Sequence, residues 1–298
     1  MKLKHLFLIL IIFSMLSNSC STGKEQPISS IQQILDTAQG QFAVAYKNLT
    51  TGETVFFNED SVFHAASTMK TPIMVELYRN VSDGKFTMND SVLIKNEFTS
   101  IVDGSIYQLD STADSEKSLY QRVGTSTTLY ELTKEMIITS SNLATNILIE
   151  WVKPEAIKQT LAAAGIEDVK VLRGVEDGKA YRAGLNNTTT ARGMMLFFEA
   201  LYENKFTTEA YTKEMIDILG EQKFNEIIPA HLPDNVKVIH KTGSITGVVH
   251  DAGVVILPDG TSYCLVLLSK KLEDSEKGKA TLANISKILY EHTIRVKN

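Results

Sequence analysis

"VKVIHKTGSITGVVHDAGVVILPDGTSYCLVLLS", Val236 to Ser269, reads as three strands in succession: "VKVIHK", "GVVHDAGVVIL" and "TSYCLVLLS". Short apolar runs rich in Val and Ile, punctuated by Gly and Pro, carry that reading. Pro258-Asp259-Gly260 supplies a tight turn between the last two. Lys241-Thr242-Gly243 is expected to end the first strand, with Ser244 following. On an edge strand a lysine and a hydroxyl can hold a carboxylate, and Gly243 lets a bound molecule approach the backbone. A solvated edge lysine accounts for the same residues without any ligand.

Far upstream, "QFAVAYKNL" and "ETVFF" alternate apolar and polar residues around Thr51-Gly52, the pattern of a β-hairpin. "ISSIQQILDTAQG", closed by Gly40, and "GKATLANISKILYEHTIR" read as terminal helices. Between the two groups of strands the period becomes helical. "TTLYELTKEMII", "NLATNILIEWV", "PEAIKQTLAAAG", "TTTARGMMLFFEALYEN" and "TEAYTKEMIDIL" place apolar residues three to four apart. The predicted fold class is therefore α/β (α+β): an antiparallel sheet built from N- and C-terminal segments, flanked by helices, with an inserted all-helical lobe. The expected organisation is a signal peptide over 1–19, a tether over 20–27 and a single domain over 28–298. Within it, a sheet lobe takes about 28–60 and 231–298, and a helical lobe about 61–230. A small-molecule site is expected in the cleft between the lobes.

At 298 residues, 43% hydrophobic and 22% charged, the chain can bury a sizeable core. A formal net charge of −5, with no basic stripe, argues against nucleic acid as a partner. No Gly-rich phosphate loop follows a predicted strand, so no nucleotide cofactor is expected. His64, His231, His240 and His250 lack metal-ligand spacing, so no metal is expected. His240 and His250 are assigned to strand packing or surface roles. Met1 to Cys20 places Lys2 and Lys4 before an apolar run, Leu6 to Leu16, too short to span a bilayer: an export signal. Its removal takes two lysines and no acid, so the charge goes from −5 to −7. Cys264 falls in a predicted buried strand and is read as core, unpaired with Cys20.

Ser67-Thr68-Met69-Lys70 is an S-x-x-K element, a pattern that Ser21–Lys24 and Ser82–Lys85 also satisfy. Only Ser67 opens an apolar helix, "TMKTPIMVELY". Residues three apart share a helix face, so the Lys70 amine is expected to reach the Ser67 hydroxyl. The alternative is a polar cap followed by a solvated lysine. Ser140-Ser141-Asn142 sits between two helical stretches, where caps are common and need no chemistry.

The order S-x-x-K, S-x-N, K-T-G, each at a predicted junction, resembles the serine β-lactamase and penicillin-binding protein superfamily, the class A β-lactamases most of all. "MIITSSNLATNILIE" and "HKTGSITG" look like that family's stretches in detail, and the likeness runs from the first helix to the last. Ser141 departs from it, standing where the family usually carries Asp. The resemblance implies roles for individual residues. Ser67 would attack a lactam carbonyl, Lys70 would assist its deprotonation, and Ser140 would relay a proton to the leaving nitrogen. Asn142 would bind the substrate's side-chain amide, and Lys241 and Thr242 its carboxylate. The backbone N–H groups of Ser67 and Ser244 would form an oxyanion hole beside Gly243.

In that family a loop glutamate activates the deacylating water. The candidate is Glu176, in "VLRGVEDGKAYRAGLNNTTTARGM". Two residues, Gly174 and Val175, separate it from Arg173, where the family usually has one. Asp177, or neither acid, remains an alternative. The resemblance also implies that Asn146, one helical turn after Asn142, hydrogen-bonds the loop glutamate. The stretch from Asn96 to Thr127 is longer than the family leads one to expect; Tyr107 or a nearby residue is a candidate for the site entrance, and a purely structural excursion is the alternative.

The function this implies is β-lactam hydrolysis through a serine acyl-enzyme, with no cofactor and a small β-lactam as partner. The alternatives are a serine D-Ala peptidase or amidase of the same superfamily, or a non-hydrolytic penicillin-recognising lipoprotein. Cys20 resembles the lipid-bearing cysteine of bacterial lipoprotein signals, though Ser17 is atypical there; plain secretion is the other reading. An exported monomer, periplasmic or membrane-anchored, is expected.

Overall fold

The computed structural model describes residues 22–296, so the expected signal peptide and Cys20 lie outside the described residues. The chain begins with α1 (Thr22–Thr37), β1 (Gln41–Asn48), β2 (Thr54–Phe57) and a short β3 (Phe63–His64). A 3-10 turn, Ala66–Met69, leads into α2 (Lys70–Ser82). Small strands β4 (Ser91–Leu93), β5 (Phe98–Thr99), β6 (Ile106–Tyr107) and β7 (Ser126–Thr128) follow. Next come α3 (Leu129–Ile138), α4 (Asn142–Val152), α5 (Pro154–Ala163), α6 (Gly178–Arg182), β8 (Thr188–Thr189), α7 (Ala191–Tyr202) and α8 (Glu209–Gly220). The late strands β9 (Lys237–Ile245), β10 (Val248–Ile256) and β11 (Ser262–Lys270) precede α9 (Ser275–Val296).

Five strands form one antiparallel sheet in the order β2-β1-β11-β10-β9. The two ends of the chain meet where β1 runs beside β11, with Ala43 opposite Leu268. β9 forms one edge, with Lys241 opposite Ala252. Ile31, Val44, Leu265, Leu267 and Ile285 share a core between the sheet and the terminal helices α1 and α9. On the opposite face Ala43, Cys264, Val266 and Leu268 join Phe197 and Phe198 of α7. Both faces are dry, which is why "CLVLL" shows no polar alternation despite its antiparallel neighbours. Full burial of each large apolar side chain contributes about 1.5–3 kcal/mol.

Three expectations are corrected. α1 starts at Thr22 and carries Pro27 inside it, so the helix occupies most of the stretch read as a tether. β9 does not end at Lys241 but continues to Ile245, because pairing with β10 holds as far as Ile245 opposite Val248. Ser67 lies in the 3-10 turn, and α2 proper opens at Lys70. Of the two roles expected for His240 and His250, strand packing holds: both are buried within the sheet.

His250 carries a stability consequence. Its Nε2 lies 2.8 Å from the His64 carbonyl, and Ser269 N–H donates to its Nδ1 at 3.1 Å. Burial holds its pKa down to about 4, from an ordinary 6.5. The fold therefore favours neutral imidazole, and the unfolded chain takes up the proton first. Stability supplied by this residue is complete above about pH 6.5 and is lost as pH falls towards 4, by roughly 3 kcal/mol. Urea melts at pH 7 and pH 4.5 should show that loss, and a His250→Gln variant should show a shallower pH slope. Equal slopes would rule the effect out.

Candidate active site

Ser67 is presented by the 3-10 turn that runs directly into α2. β9 lies against this turn: a Cβ on Gly243 would come within 3.0 Å of the Ser67 nitrogen and 3.1 Å of the Ala66 Cβ. A side chain at Gly243 would fit only if this turn gave way by a few tenths of an ångström. Lys70, the first residue of α2, and Lys241, on β9, are both fully buried. They converge on Ser140, whose Oγ accepts from Lys70 Nζ at 3.2 Å and from Lys241 Nζ at 3.0 Å.

Lys70 Nζ also donates to Ser140 O at 2.6 Å and to Asn142 Oδ1 at 2.9 Å. Its three protons are taken up at the turn between α3 and α4, and the expected hydrogen bond to the Ser67 hydroxyl is not among its contacts. Burial drives the Lys70 pKa down to about 7, while Asp114 and Glu176 pull it upward. Burial, then Lys70 itself, push Lys241 well below its ordinary range, with Asp251 opposing. Two ammonium groups buried around one hydroxyl repel each other, so one of them sheds its proton readily.

Three non-glycine residues of the site adopt left-handed backbone: Ala66 at φ 45°, Ser140 at φ 60° and Glu176 at φ 59°. Each costs roughly 1–2 kcal/mol, and surrounding bonds hold it there. For Ser140 those bonds are the Lys70 donation to its carbonyl and one from Ser115 Oγ at 3.3 Å. Ser141 caps α4, accepting from Ala144 N–H at 3.2 Å.

Glu176 is held by Asn142, whose Nδ2 donates to its Oε1 at 2.8 Å. Asn146 does not bond this carboxylate, contrary to expectation. Its Oδ1 accepts from Val175 N–H at 2.6 Å and its Nδ2 donates to Val175 O at 3.0 Å, so it clamps the loop backbone. Gly174 and Val175 separate Arg173 from Glu176, and Asn146 meets Val175 while Asn142 meets the carboxylate. A side chain on Gly174 would overlap the Asn146 amide, which fixes the glycine at that point. Although exposed, Glu176 lines the cavity; burial raises its carboxyl pKa, against lowering by Asn142 and the Asp110 N–H. Asp177 is committed elsewhere, accepting from Ala180 N–H, Ser100 Oγ and Ile101 N–H at 3.0 Å each.

Ser67, Ser140, Asn142, Glu176 and Ser244 line one cavity of about 840 Å³, which extends past Arg173 to Tyr181 and Arg182. Lys70 and Lys241 lie fully buried behind Ser140, through which they reach the cavity, and Thr242 and Gly243 connect Lys241 to Ser244 along β9. Tyr107 is not at the entrance: its hydroxyl lies 3.3 Å from both Val175 O and Asn146 Nδ2, behind the loop. Among the described residues no group of three or more His, Cys, Asp or Glu side chains could hold a metal. Sequence reasoning missed Asp114, Ser115 and the Asp110 N–H, which approach from the long 96–127 stretch. Its unusual length was the only signal.

A family model described as "Beta-lactamase enzyme family" matches residues 26–293. Beta-lactamase VEB-1 of Pseudomonas aeruginosa is 22% identical over 276 residues, 88% of either chain. A solved β-lactamase from Sphaerobacter thermophilus DSM 20745 superposes with TM-score 0.77 at 25% identity, over 90% of this chain and 96% of that one. The structure of PBP-A superposes with TM-score 0.79 at 24% identity, over 91% and 97%.

Proposed function

The chain belongs to the β-lactamase enzyme family, and from that premise we propose that it hydrolyses β-lactams through an acyl-enzyme on Ser67. The observation that carries this reading is the Ser140 hydroxyl bridging two buried lysines on the wall that Ser67 shares. The Ser67 Oγ attacks the lactam carbonyl while its proton passes to neutral Lys70, directly or through water. The Ser67 and Ser244 N–H groups receive the developing oxyanion. The C–N bond then breaks, and the nitrogen takes a proton through Ser140 from the lysine pair. Lys241 and Thr242 hold the substrate carboxylate, and Asn142 its side-chain amide. In the second half, Glu176 takes a proton from water, the hydroxide attacks the ester, and Ser67 leaves with a proton.

The described lobes act as one catalytic domain, working as a monomer. Export follows from residues 1–19, with Cys20 as a lipid attachment point in the periplasm or at the membrane. Among the described residues no helix is long and apolar enough to cross a membrane.

A second reading keeps Ser67 acylation but not rapid release: a serine D-Ala peptidase or amidase, or a penicillin-recognising lipoprotein. The observation favouring it is that the Asn142 amide, not Asn146, holds Glu176. Purified protein is expected to turn over a chromogenic cephalosporin for many cycles. One stoichiometric burst with no steady state would favour the second reading. Neither turnover nor a burst would dismiss both.

A further inference from the structure

"LDSTADSEK", Leu109 to Lys117, has the composition of a solvated loop, yet Asp114 within it is buried. Its carboxylate gathers donors from three directions. Asn142 N–H reaches both oxygens, at 3.0 and 2.9 Å, and Leu143 N–H reaches Oδ2 at 3.0 Å. Glu116 N–H donates at 3.2 Å and Tyr120 OH at 2.8 Å. Asn142 and Leu143 are the first residues of α4, where N–H groups lack helical partners and the dipole favours an anion. Ser141, at the position where the resembled family usually has Asp, offers this helix end only a hydroxyl.

The same short stretch touches the site at two more points. Ser115 Oγ lies 2.7 Å from Thr139 O and 3.3 Å from Ser140 O, and the Asp110 N–H bonds the Glu176 carboxylate. Asn142 in turn holds Lys70 at 2.9 Å and Glu176 at 2.8 Å. Displacing the Asn142 backbone would therefore move the groups assigned to both halves of the reaction.

We propose that Asp114 is a positioning residue for acylation: the carboxylate through which the 109–117 stretch fixes the Ser140–Asn142 turn and, through Asn142, sets the place and charge of Lys70. This rests on the acyl-enzyme reading above. The charged groups acting on Lys70 are Asp114 and Glu176, which favour its protonated form, and Lys241, which opposes it. Loss of the Asp114 charge leaves Lys70 easier to deprotonate, so the acid limb of the acylation profile moves to lower pH.

The test measures the rate of Ser67 adduct formation from a cephalosporin, by intact-protein mass spectrometry, between pH 5 and 9. Asp114→Asn is expected to slow acylation about 100-fold at pH 7.5 and to move the acid limb down by about one pH unit. A merely structural role would cut the rate and leave the limb in place. That outcome overturns the proposal, as does a rate within threefold of the parent. Should Asp114→Asn fail to fold, the double variant Asp114→Asn/Ser141→Asp returns a carboxylate to the same helix end. It is expected within tenfold of the parent, with the parental limb; a folded double variant 100-fold slow with the limb still in place overturns the proposal. A parent protein that forms no Ser67 adduct refutes the acyl-enzyme reading itself, a distinct result.

Discussion

Ser67→Ala is expected to leave a folded protein whose cephalosporin turnover falls by about 10⁴-fold or more, since no other group can form the acyl ester. Five other hydroxyl-bearing residues line the cavity: Ser115, Ser140, Tyr181, Ser244 and Thr246. Ser140 already accepts from two lysines and occupies a strained turn, which suits proton relay better than attack. Ser67 stands in the 3-10 turn before α2 with Gly243 against its nitrogen, so its N–H and hydroxyl can face one carbonyl. Intact mass after mixing should show an adduct on the parent protein and none on the variant. Residual turnover above one part in a hundred would place the nucleophile elsewhere.

Glu176→Gln should separate the two halves of the reaction. The glutamine oxygen can still accept from Asn142 Nδ2, so the loop keeps its anchor while losing the base. General-base removal typically costs roughly 100–10,000-fold, and here that loss should fall on deacylation alone. Acylation is expected within about tenfold of the parent, and the adduct should persist for minutes to hours. Deacylation at the parental rate would remove Glu176 from the mechanism. Asp177 is a poor substitute, because capping α6 and bonding Ser100 and Ile101 occupy its carboxylate.

Much of this architecture is legible in local patterns. The three late strands, the Thr51-Gly52 hairpin and the five central helices follow from period and punctuation, which depend on neighbours a few residues apart. The motif residues are legible because S-x-x-K, S-x-N and K-T-G each fall at a junction of elements. Where local reasoning failed, the deciding contacts were distant in sequence. Asn142 and Asn146 share a helix face, and nothing local says which one meets the carboxylate and which the backbone of a loop some thirty residues later.

The sequence by itself determined the sheet from both chain ends and the order of the three motifs, since hydrophobic period and turn chemistry are properties of short segments. Only the tertiary structure decided that Lys70 bonds Ser140 and Asn142 rather than Ser67. The same holds for Glu176 hanging from Asn142, and for Asp114 closing the end of α4. Those choices depend on burial and on which donors and acceptors converge. Desolvation then sets their strength, because a buried ion or amide must find a partner wherever the chain brings one.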